Sequence, residues 1–89
     1  MEIIIKQKIE FISRKYFNYK FYLFGSFLNN KKAYGDIDIL ILYKTPESIK
    51  SIRNDFQNID SYETFHLMFL SNEEENEIKF VEKVNAIEI

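Results

Sequence analysis

The sequence predicts an α/β (α+β) fold in which a small mixed β-sheet of three or more strands is flanked by helices. Three observations predict it. Apolar residues recur at helical spacing near the start, and short aromatic or β-branched runs follow. Strand-like and helix-like stretches then alternate to the end without a break in composition. The 89 residues read as a single domain, 1–89, with no linker and no internal repeat.

Each element has its own local reason. From Glu2 to Phe17, Ile5, Ile9, Ile12 and Tyr16 fall on one helical face, and Ile4 and Phe11 widen it. Asn18 is a stop. Tyr19 to Phe24 is aromatic and apolar apart from Lys20, which favours a strand. Gly25-Ser26 ends it; Ser26 to Asn30 can open a short helix, and the polar stretch Asn29 to Gly35 reads as a loop. Asp36 to Tyr43, Asp-Ile-Asp-Ile-Leu-Ile-Leu-Tyr, is the most strand-like stretch, and its apolar second half suits a strand covered on both faces. Thr45-Pro46-Glu47 supplies a cap, a first-turn proline and an early acid for a helix carrying Ile49, Ile52 and Phe56 to about Asn58. Tyr62 to Leu70 is a further strand whose pairing direction the sequence leaves open. Ser71-Asn72-Glu73-Glu74 then has capping-box spacing before a last helix with Ile78, Val81 and Val84 on its apolar face, widened by Phe80.

Composition narrows the function classes. Twelve Lys/Arg against fourteen Asp/Glu give a net charge of −2, which exerts no general pull on nucleic acid. Without cysteine there is no disulfide frame, thiolate zinc site or cysteine nucleophile, and one histidine cannot build a His-rich metal site. The apolar run at Ile3-Ile4-Ile5 is too short for a secretory signal or a membrane span, so the expected setting is the cytoplasm. Fifteen Phe and Tyr residues are more than so small a core can hide, and an exposed subset would mark an interface.

The chemistry-bearing residues lie between the first two strands. Alternate residues of a strand face the same way, so Asp36 and Asp38 share one side and Ile37, Ile39 and Ile41 the other. Two carboxylates so placed repel unless a cation compensates them, and all-oxygen donors favour Mg²⁺ or Mn²⁺. Gly25 lets a ligand approach the backbone, and Ser26 with the amides after it can receive a phosphate. A phosphate cradle beside divalent metal is what nucleotidyl or phosphoryl transfer requires.

Leu23-Phe24-Gly25-Ser26-Phe27, a loop, and Gly35-Asp36-Ile37-Asp38-Ile39-Leu40-Ile41 resemble the signature of the polymerase-β-like nucleotidyltransferase superfamily, closest to its minimal single-domain members. The resemblance implies that Gly25 and Ser26 hold a nucleoside triphosphate such as ATP, and that Asp36 and Asp38 are catalytic and bind Mg²⁺ or Mn²⁺. It implies transfer of a nucleoside monophosphate to a hydroxyl on RNA, a small molecule or a protein. Minimal members often accompany a small helical protein of the HEPN class in toxin–antitoxin modules, which makes such a protein, or a second copy, the implied partner.

Two departures weigh against activity. Relatives carry a third carboxylate on a later strand, whereas aligning Thr64 to Met68 with that strand puts His66 there. Glu63, one position away, is expected on the opposite face by strand alternation, and Asp60 falls in the approach to the strand. An arginine often follows Gly-Ser, and here only Lys31 or Lys32 can replace its charge. The alternative function is therefore a catalytically degenerate module that binds a partner protein without turnover. A third reading is self-association through the aromatic surface. Taken singly, Gly-Ser is a common turn, Asp-x-Asp a common strand end, His66 an ordinary hydrogen-bonded strand residue and Glu73-Glu74-Glu75 a solvated first turn favoured by the helix dipole. The combination in order is what carries the reading.

Overall fold

The computed structural model describes residues 3–25, 36–60 and 64–89. The expected helix at the start is α1, Ile3–Lys15, followed by β1, Lys20–Phe24, and β2, Asp36–Tyr43. A single 3-10 turn, Pro46–Ser48, leads into α2, Ile49–Gln57, and then β3, Thr64–Ser71. Two short helices, α3 (Asn72–Ile78) and α4 (Phe80–Val84), precede β4, Ile87–Glu88. Ser26, the short helix and loop expected up to Gly35, the two lysines at 31 and 32, and Glu63 lie outside the described residues.

The four strands form one mixed sheet in the order β3-β2-β1-β4. Strand β1 runs antiparallel to β2 and β4, whereas β2 and β3 are parallel, with Asp38 opposite His66. This settles the direction that the sequence left open. A parallel neighbour needs a crossover, and α2 supplies it.

Strand β2 is central, and its two side-chain rows feed two cores. Ile37, Ile39 and Ile41 face α1 and α2, packing with Phe21, Ile5, Ile9, Ile12, Ile52 and Phe56. Leu40 and Leu42 face the other way and meet Leu70, Tyr22, Phe24, Met68, Phe80 and Val81. Ile37, Ile39, Leu40 and Ile41 are all 0% exposed, as expected of a strand covered on both sides. Each such side chain contributes on the order of 1.5–3 kcal/mol by leaving water.

Three local readings change. Thr45 makes no side-chain cap; the buried Tyr19 does that work, its hydroxyl donating to the Thr45 carbonyl at 2.6 Å and accepting from the Ser48 amide at 2.9 Å. The last helix is two helices, because Lys79 takes the left-handed conformation (φ 57°, ψ 43°). The Glu75 carboxylate accepts from the Phe80 and Val81 amides at 3.2 and 3.1 Å, so the break leaves both donors paired. Phe80 then reaches Phe24 edge-on at 5.2 Å between ring centroids, while Ile78, expected on the apolar face, is 40% exposed. Strand β4 was not foreseen; the Ile89 amide beside it donates to the Phe21 carbonyl at 2.9 Å. The Ser71 capping box is present, with Ser71 accepting from the Glu74 amide and Glu74 accepting from the Ser71 amide.

Candidate active site

The row that gives Leu40 and Leu42 to the second core gives Asp36 and Asp38 to the solvent end of the same face. Period-two alternation therefore places both acids together, beyond the point where α4 covers the sheet. Asp38 lies opposite Phe24 on β1 and opposite His66 on β3, and Asp36 lies opposite Thr64. The two carboxylates and the imidazole are thereby brought to one end of the sheet by two neighbouring strands.

His66 touches both acids. Its Nε2 is 3.1 Å from Asp36 Oδ2 and its Nδ1 is 3.7 Å from Asp38 Oδ1. These contacts are ion pairs when the ring is protonated. The Asp38 side chain is 25% exposed, against 50% for Asp36 and 58% for His66, so the cluster is open to solvent with Asp38 its most sheltered member. The ordinary reading of His66, a strand residue with a hydrogen-bonded ring, and the reading that places it at the third position meet in this arrangement. The groups nearest its two ring nitrogens are the paired acids, Asp36 at 3.1 Å and Asp38 at 3.7 Å.

Gly25 follows β1 with φ +89°, a conformation in which side chains are strained. A Cβ built there would overlap Asp38 Oδ2 and come within 3.1 Å of Asp38 Cγ. The close approach that glycine permits is thus made by the Asp38 carboxylate itself. Ser26, assigned to the phosphate with it, lies outside the described residues.

The donor set can be tested against the divalent metal. Asp36 and Asp38 each direct an oxygen toward the same group, His66, so their negative charge already converges on one place where a cation is favoured. Carboxylate oxygens suit Mg²⁺ and Mn²⁺, and the imidazole nitrogen suits the transition ion of the two better. The two acids fit a hard divalent ion on this chemistry. Among the described residues, no group of three His, Cys, Asp or Glu side chains is gathered around one metal position. His66 as it stands faces the acids rather than joining them around a shared point.

The sequence reading gave no chemistry to Glu73, Glu74 and Glu75. The structure gives Glu74 and Glu75 capping roles, Glu74 at the Ser71 amide and Glu75 at the amides of Phe80 and Val81, and capping-box spacing announces only the first. Among the described residues no helix is long and apolar enough to cross a membrane.

A family model described as a nucleotidyltransferase domain matches residues 5–89. No curated protein and no solved structure matches the chain. With the match running over all but the first four residues, and with the paired acids on the central strand beside Gly25, the chain belongs to the nucleotidyltransferase domain family.

Proposed function

We propose that the chain is a Mg²⁺- or Mn²⁺-dependent nucleotidyltransferase that moves a nucleoside monophosphate, AMP from ATP in the first instance, to a hydroxyl on a partner protein or an RNA. One observation carries this reading: Asp36 and Asp38 stand side by side at the open end of β2, with Asp38 seated over Gly25. Asp36 and Asp38 would hold the divalent ion, which when bound neutralises the triphosphate and the charge that develops at the α-phosphorus.

The chain's own residues then have defined tasks. Strand β2, buried on both faces beyond Asp38, fixes the two carboxylates against their mutual repulsion. Gly25 leaves Asp38 room to lie close to the backbone, and Ser26 next to it is assigned the phosphates. In the transfer the acceptor oxygen bonds to the α-phosphorus, the bond to the bridging oxygen breaks, and pyrophosphate leaves. Acceptor recognition is assigned to a partner, for which a small helical protein of the HEPN class in a cytoplasmic toxin–antitoxin pair is the proposed candidate. The test is label transfer from α-phosphate-labelled ATP. The wild type labels its partner, and Asp38→Asn loses transfer by about a hundredfold or more while keeping its unfolding midpoint. Equal labelling by the variant overturns the assignment.

A second reading is favoured by the contacts of His66 to both acids. A side chain that can itself carry positive charge stands against the carboxylates, as expected of a degenerate module that binds its partner without turnover. That reading predicts no labelling by the wild type, weak Mg-ATP binding in calorimetry, and a gain of transfer in His66→Asp.

A further inference from the structure

Strand β3 is an outer strand of the sheet, eight residues long, and carries no lysine, arginine, aspartate or glutamate. Its backbone pairs on one side with β2, and among the described residues nothing pairs with the other side. Outer strands of this length are normally blunted by lysine, proline or a bulge, because their unpaired amides and carbonyls template another strand. Strand β3 has no lysine or proline, and its ladder with β2 runs unbroken from Thr64 to Ser71. Phe65, Leu67, Met68 and Phe69 are each only partly buried along it.

The α2 side of this edge has a definite chemistry. A cavity of about 360 Å³ runs beside it, lined by Phe65, Leu67, Phe56, Ile59 and Arg53 among others. A second, of about 490 Å³, continues along α2 past Lys50, Arg53 and Gln57. Arg53 lies over the Phe69 ring at 4.7 Å, so a cation is held at the strand edge. Among the described residues, neither cavity is lined by an acidic side chain. The edge therefore offers backbone hydrogen bonds, an apolar recess and two cations, Lys50 and Arg53, that meet no acid lining these cavities among the described residues.

We propose that β3 takes an extended segment of a partner polypeptide as a fifth strand, with apolar side chains filling the recess at Phe65 and Leu67 and acidic ones meeting Arg53 and Lys50. Backbone pairing supplies the affinity and the alternating side chains supply the choice of partner. A second copy fits the same edge less well: its own β3 has no acid to offer, and twofold pairing would bring like-charged α2 helices together. The proposal stands apart from the transfer reaction, since Phe65, Leu67 and Phe69 face away from Asp36 and Asp38.

The probe is a fluorescein-labelled nine-residue peptide with valine and glutamate taking turns at its odd positions, so that both share one face, and threonine at its even ones, followed by anisotropy, with lysine in place of glutamate in its counterpart. The full chain binds the glutamate peptide and not the lysine one, and hydrogen exchange slows at β3 amides. Arg53→Glu, an exposed position outside the candidate site, weakens glutamate-peptide binding about tenfold and admits the lysine peptide. Four results overturn the proposal: no binding, equal binding of both peptides, indifference to Arg53→Glu, or protection elsewhere than β3. Protection of β3 through concentration-dependent self-association, without peptide binding, overturns it in favour of a second copy.

Discussion

Gly25 shows how far a single side chain, or its lack, reaches. Its positive φ alone disfavours a Cβ, and the space that Cβ would take is filled by the Asp38 carboxylate. Gly25→Ala is therefore expected to lose about 1–3 kcal/mol in urea unfolding and to displace Asp38. A concurrent loss of Mn²⁺ binding, read by calorimetry, would report the displacement. An alanine variant as stable as wild type would show that the approach to Asp38 is not tight. The sequence made Gly25, Asp36 and Asp38 legible because their types and order are unusual between two apolar strands. It left the target of Gly25's close approach unseen, because that target arrives from the neighbouring strand. His66 was placed at the third position by alignment alone. Its contacts with both acids depend on β3 running parallel to β2, which no residue type announces.

At the scale of elements, legibility followed the strength of local signals. Strand β2 matches its sequence bounds because its apolar and acidic alternation has no helical alternative, and the Ser71 capping box fixes the start of α3. The division between α3 and α4 could not be read, since Lys79 is neither glycine nor proline and apolar spacing continues across it. Tertiary packing decides there: Phe80 docks on Phe24, and the Glu75 carboxylate takes the two amides that the break releases. Glu75→Ala is accordingly expected to destabilise the fold by about 1–2 kcal/mol, whereas Glu73→Ala, exposed in the same first turn, stays within about 0.5 kcal/mol. Urea midpoints for the two variants check this ordering, and equal effects would return the acidic run to a solvated helix face. Strand β4 escaped notice for a different reason. Two residues have no periodicity, and their strand state exists only through pairing with Tyr22 and Leu23.

Over the whole molecule, the helical layer is tied together by a polar clasp on its surface. Asp55 on α2 accepts from the Tyr16 hydroxyl at 2.6 Å and from the Lys15 ammonium at 3.1 Å, joining the end of α1 to the crossover helix. The Tyr16 hydrogen bond first, and then Lys15, hold the Asp55 carboxyl below its usual range despite its partial burial. Tyr16 is pushed up, first by burial and then by Asp55, and Lys15 is pushed up by its bond to the same carboxylate. The signs give a plateau with two edges. Asp55 is depressed in the folded chain, so its contribution is complete above the ordinary carboxylate value of 3.8 and is lost as pH falls through the lower folded value. Tyr16 and Lys15 are raised, so theirs are complete below 10.0 and 10.5 and are lost as pH rises through the higher folded values. Asp55→Asn should therefore lower the urea midpoint at neutral pH, by a stability change of about 1 kcal/mol, and the gap from wild type should close in acid. It should also narrow in strong alkali, where the wild-type clasp loses the tyrosine proton. A gap that is constant from pH 3 to pH 11 would mean that Asp55 contributes by shape alone and that α1 and α2 are held by Ile5, Ile9, Ile12, Ile52 and Phe56 without it.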